Sequence, residues 1–144
     1  MIRPKLPDYD YALVIRTDFS DDAAWEQLCS VVKQPRFEYE TRAPLECIDD
    51  ESCSGLAPGD VASVLPAGSY RPFVFLADAQ TISQAEHALL AVDLSEVPGR
   101  TMRVIPTEAG TVAANLILAN MEFTEFAISV DPDGVYRGFP GAPV

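Results

Sequence analysis

Hydrophobic and polar residues change period several times along these 144 residues, and each change predicts an element. Tyr11 to Ile15 is an apolar run of strand length, and with Arg16 it forms the first predicted strand. From Ala24 onward Trp25, Leu28, Cys29 and Val32 recur at helical spacing, predicting a helix that ends before Pro35. Asp18 or Ser20 is expected to cap it, with Asp21, Asp22 and Glu26 near its positive end. Phe37 to Thr41 alternates aromatic and charged residues, as a half-exposed strand does. Leu45 to Cys53 reads as a strand end and loop, and Pro58 to Leu65 as a short helix with proline in its first turn. Pro72 to Ala77 is the most hydrophobic short run and predicts a central strand buried on both faces.

After a polar stretch from Asp78 to His87, Ala88–Leu94 and Thr101–Ile105 predict two further strands, with Glu96–Arg100 as a hairpin connection. Val112, Leu116, Ala119, Phe123, Phe126 or Ala127, and Val130 then fall on one helical stripe. Asn120-Met121 is expected to divide it into two helices, Asn120 capping the second. Asp131 to Gly134 reads as a turn and Val135–Phe139 as an edge strand. The order β-α-β-α-β-β-β-α-β predicts an α/β class fold: one domain over residues 1–144, a mixed sheet flanked by helices, with 1–9 as an irregular arm. Its expected core comprises Leu13, Ile15, Trp25, Leu28, Phe73, Phe75, Leu90, Val92, Val104, Leu116 and Phe123.

Several of these segments together, LPDYDYALVIRTDFSDDAAWEQL, FVFLAD, GRTMRVIP and NLILANMEFTEFAISVDPDGVYRGF, resemble a family of small uncharacterised stand-alone domains of unknown function. The similarity spans nearly the whole chain and is most specific in the closing segment. It implies a single stand-alone domain and brings no catalytic residue with it.

Composition narrows the function classes. The 22 acidic and 10 basic residues give a formal net charge of -12, a field that repels phosphates and anionic membranes and favours cations or a basic protein face. No apolar run approaches the roughly 20 residues of a membrane span, and the amino terminus lacks the apolar segment of a secretory signal. Cys29, Cys47 and Cys53 form no CxxC pair, so reduced thiols and a cytoplasmic location are expected. Cys29 is assigned to the core face of its helix.

Chemistry-bearing patterns are few. The sole histidine, His87, has no GxSxG elbow or activated cysteine to work with and is expected to be exposed before a strand. GxxxxGK[ST] and GxGxxG are both missing. Asp131 and Asp133 fit a calcium loop that has Gly134 at its sixth position, but Ser129 and Pro140 occupy the ligand positions at its ends. A Pro-Asp-Gly turn accounts for these residues.

Two functional expectations follow. In the first, Glu38, Tyr39, Glu40, Asp49, Asp50 and Tyr70 form an acidic, aromatic face for a basic protein partner, in the manner of an inhibitor or immunity protein. This is a non-catalytic role that involves no cofactor, nucleic acid or membrane. In the alternative, the strand-end aspartates Asp18, Asp78 and Asp93, with Asp21, Asp22, Asp49 and Asp50 as further candidates, converge to hold Mg²⁺ or Ca²⁺ for an enzyme or small-molecule binder.

Overall fold

The computed structural model describes residues 4–7, 12–33, 45–68 and 70–139. A six-stranded mixed sheet carries the described strands: β1 (Ala12–Arg16), β2 (Leu45–Ile48), β3 (Phe73–Ala77), β4 (Leu89–Asp93), β5 (Thr101–Val104) and β6 (Val135–Tyr136). They lie in the order β2-β1-β3-β4-β5-β6. β1 runs parallel to both β2 and β3, β4 is antiparallel to β3 and β5, and β6 is parallel to β5. This is the α/β class and mixed sheet that the hydrophobic pattern predicts. The predicted strand over Phe37–Thr41 lies outside the described residues.

Alternation along the central strands sends side chains into two layers. Ala12 and Val14 of β1, with Phe73, Phe75 and Ala77 of β3, face one layer. There they meet Trp25, Leu28 and Val32 of α1 (Asp22–Lys33), Ala109, Val112 and Ala113 of α3 (Pro106–Ile117), and Phe123 and Phe126 of α4 (Phe123–Ala127). Leu13, Ile15, Val74 and Leu76 face the other, which is closed by two 3-10 helices, Glu51–Cys53 and Pro58–Val64, and by Leu6. β1 and β3 are buried at all five positions, because both of their faces are covered. Of the expected core residues, Leu90 and Leu116 are only partly buried; the other nine are buried.

Several local details differ from the sequence expectation. Asp21 caps α1 by accepting from the Ala24 N–H at 3.1 Å, whereas Asp18 turns back on the N–H of Ser20. The polar stretch after β3 contains a short helix, α2 (Ala79–Ser83), capped by Asp78. The break near Asn120-Met121 is present, with Ala119 in the left-handed region at φ 56°. The following helix is capped by Glu122, in a reciprocal box with Glu125, rather than by Asn120. His87 is partly buried, also has positive φ, and its Nδ1 lies 2.8 Å from the Thr81 carbonyl oxygen.

The carboxy-terminal segment is held by aromatic packing and one arginine. Phe126, Tyr136 and Phe139 lie with ring centroids 5.2 to 5.6 Å apart. Arg137 donates to Asp131 at 2.7 Å, to Asp133 at 2.7 Å and to Glu86 at 2.6 Å. The two turn aspartates that resemble calcium ligands thus face a guanidinium.

Candidate functional site

The direction of each strand decides where its terminal aspartate goes. Asp18 and Asp78 follow parallel neighbours and leave the same end of the sheet, since Arg16 pairs with Ala77. β4 runs the other way, and Asp93 pairs with Phe73 at the start of β3. A β-residue advances about 3.3 Å, so Asp93 lies at the far end of a five-residue strand from Asp78. The three aspartates therefore do not converge. Among the described residues no three His, Cys, Asp or Glu side chains are grouped to hold a metal ion.

Two of these carboxylates are instead surrounded by the protein's own donors. Asp93 is 1% exposed and accepts from the N–H groups of Ser95, Glu96 and Val97 at 2.9 to 3.1 Å and from Arg100 Nη2 at 2.9 Å. Burial pushes its pKa up, but the Ser95 and Val97 amides, Arg100 and the Glu96 amide outweigh that and hold it below the ordinary aspartate value. Asp78 receives both Nη atoms of Arg103 at 2.8 Å and the N–H and hydroxyl of Thr81 at 3.0 Å. Here too burial acts upward, and Arg103 with Thr81 brings the net shift below the ordinary value.

The residues expected to meet a partner are divided as well. Glu38, Tyr39 and Glu40 lie outside the described residues. Asp49 and Asp50 stand together just after β2. Asp50 caps the first 3-10 helix by accepting from Ser52 N and Oγ at 2.9 and 2.7 Å, and these bonds lower its pKa. Tyr70 precedes β3 and is therefore at the opposite end of the sheet, 76% exposed, with its hydroxyl 3.2 Å from Ser95 Oγ. It lines a groove of about 340 Å³ together with Phe73 and Leu116.

What gathers around Asp49 is a different set. At the carboxyl ends of β1 and β2 lies a recess of about 370 Å³. Asp22 and Glu26 come from the first turns of α1, and Asp49 and Glu51 from the segment after β2. Arg16, Phe19 and Trp25 complete its walls. Arg16 is 2% exposed and is tied to Asp22 at 2.6 Å and Asp49 at 3.4 Å. Its guanidinium lies 4.5 Å from the Phe19 ring centroid and 5.6 Å from that of Trp25. Burial alone would lower the Arg16 pKa; Asp22 and Asp49 raise it above its ordinary value, so the group stays charged.

Four carboxylates thus line the recess against one guanidinium. No ion pair engages Glu26 or Glu51 among the described residues, and both are exposed. Open α/β sheets place ligand sites at the carboxyl ends of parallel strands, and this recess occupies that position. Its polar walls and surplus negative charge suit a cationic group.

Sequence reasoning missed Arg16 as a site residue, assigned Trp25 to the core and Glu26 to the helix dipole, and offered Asp22 and Asp49 as site residues only as additions to the strand-end aspartate cluster, Asp49 also as part of the acidic face. The available signal was an arginine ending an otherwise apolar strand and followed within a few residues by an aromatic and several acids, RTDFSDD. A comparison with curated proteins finds no significant match. A family model, however, matches residues 11–139, from the residue before β1 through Phe139 of the carboxy-terminal aromatic cluster, and the chain belongs to the family described as Domain of unknown function (DUF6924).

Proposed function

We propose that this protein is a non-catalytic binding protein that recognises the basic face of a protein partner, in the manner of an inhibitor or immunity protein. The observation that carries the reading is the recess at the carboxyl ends of β1 and β2, where Asp22, Glu26, Asp49 and Glu51 surround the buried cation Arg16. A lysine or arginine presented by a partner would find carboxylate acceptors there at the mouth of a preformed cavity. The overall charge of -12 would steer its approach. Asp50 adds negative charge beside the rim. Three cysteines without a disulfide fit a reducing, cytoplasmic setting, and no described helix is long and apolar enough to cross a membrane.

The test is an amide NMR titration of the whole protein with a hexa-arginine peptide at physiological salt. Saturable shifts centred on Asp22, Glu26, Asp49, Glu51 and the Trp25 indole, weakened by added salt, are expected. They should be lost in the Glu26→Lys, Glu51→Lys double variant. Unsaturated shifts scattered over all acidic residues would reduce the interaction to counterion screening and overturn the proposal.

A further inference from the structure

Cys29 and Cys47 are far apart in sequence but adjacent in the fold. Cys29 lies on α1 one turn after Trp25. Cys47 lies on β2 opposite Val14, and alternation puts its side chain on the same face as Leu45. Both pack against the core layer formed by Trp25, Leu28, Val32 and Leu45, and their thiol groups hydrogen-bond to each other. Each residue is only partly buried. Cys53 is fully buried in the opposite layer and is separated from the pair by the sheet.

We propose that Cys29 and Cys47 are a redox-modification site: a hydroperoxide oxidises the dithiol to an intramolecular disulfide that fastens α1 to the edge strand β2. The two sulfurs are not equivalent. The hydrogen bond from Cys29 is the main influence on Cys47 and, helped by the Lys33 charge, lowers its pKa despite burial. The same bond, with burial, raises the pKa of Cys29. Cys47 is therefore the attacking thiolate and Cys29 the resolving thiol.

The Cys47 thiolate attacks one peroxide oxygen, the O–O bond breaks, and the departing alkoxide takes a proton to leave as an alcohol. Cys47 is then a sulfenic acid. The Cys29 sulfur attacks the Cys47 sulfur, the S–O bond breaks, and hydroxide leaves with the Cys29 proton as water. The dithiol has lost two electrons, and the hydroperoxide has been reduced to alcohol and water. A partly exposed disulfide of this kind is of the labile, reversible class. The inference does not depend on what the neighbouring recess binds.

The experiment treats the reduced, full-length protein with hydrogen peroxide, blocks residual thiols under denaturing conditions and maps the peptides by mass spectrometry. A Cys29–Cys47 cross-linked peptide is expected, with Cys53 still blocked as a free thiol and both other thiols recovered on reduction. In Cys29→Ser the oxidation should stop at a Cys47 sulfenic acid trapped by dimedone. In Cys47→Ser, Cys29 should react at least about tenfold more slowly than Cys47 does in Cys29→Ser. A trivalent arsenical, phenylarsine oxide, should bind the reduced protein and lose that binding in either variant, while circular dichroism verifies that each variant is folded. Unchanged thiols after peroxide, oxidation at Cys53, intermolecular disulfides, or failure of the folded reduced protein to take the arsenical would each overturn the proposal.

Discussion

Arginine meets aspartate at both ends of the parallel strands, with different consequences. At the end of the sheet where β4 finishes, Asp93 is 1% exposed and its two oxygens are filled by three backbone N–H groups and Arg100. Arg100 in turn donates to Glu96 and Thr124 and stacks on Phe123 at 5.0 Å, so the cluster joins the β4–β5 connection to α4. At the carboxyl ends of β1 and β2 the burial is reversed. Arg16 is the buried partner, while the side chains of Asp22 and Asp49 remain 81% and 54% exposed. A buried carboxylate with a full set of donors is committed to holding the fold. Exposed carboxylates gathered round one buried cation retain unused acceptor capacity, which suits binding.

Removing Asp93 should give the largest effect. Asp93→Ala leaves the Arg100 charge and three amides short of an acceptor and is expected to destabilise by about 3–5 kcal/mol in urea unfolding. A loss below about 1 kcal/mol would dissolve the contrast between the two ends. Arg16→Met should cost less, about 1–2 kcal/mol, because the carboxylates it abandons are already in contact with water. It should also raise the affinity for hexa-arginine, since the recess then carries four negative charges unopposed. A drop in affinity would mean that Arg16 organises the recess rather than competing for it.

Asp78→Ala removes the cap of α2 and the paired acceptor of Arg103, at an expected cost of about 1–2 kcal/mol. The pH dependence carries the same message. Asp78 and Asp93 both have folded pKa values below the ordinary 3.8. Their contribution to stability is therefore complete above the unfolded carboxyl range, from about pH 5 upward. It is lost as pH falls through the unfolded value and then through the lower folded ones. Acid unfolding of Asp93→Asn should have a shallower dependence on pH than that of the unaltered protein. The smallest stability effect belongs to Glu26→Lys with Glu51→Lys, expected within about 0.5 kcal/mol of the parent by thermal melting, although this variant should lose peptide binding.

The redox pair and the recess share one history in the sequence: their members were visible but their partnerships were not. Cys29 was placed correctly on the apolar face of its helix, yet nothing in the spacing joins it to Cys47. Asp49 was identified as a binding residue from local charge density, whereas Arg16 looked like the polar end of a strand. Tyr70 had the exposure expected of an anchor but emerges at the other end, because it precedes a strand parallel to β2 whereas Asp49 follows β2. For the strand-end aspartates the deciding question was strand direction, and a carboxylate after a strand serves equally well as a helix cap, an arginine partner or a metal ligand.

The sequence by itself determined the elements. Apolar runs, helical spacing and prolines located β1, α1, β3, β4, β5 and the divided carboxy-terminal helix, because each signal depends only on backbone geometry over a few residues. Tertiary structure decided which strand ends lie together. Pairing β4 antiparallel to β3 carried Asp93 away from Asp78, and packing α1 over β1 and β2 brought Arg16, Asp22 and Asp49 round one recess and Cys29 to Cys47. These adjacencies rest on strand order, strand direction and the burial of two sheet faces, which are properties of the whole packed chain.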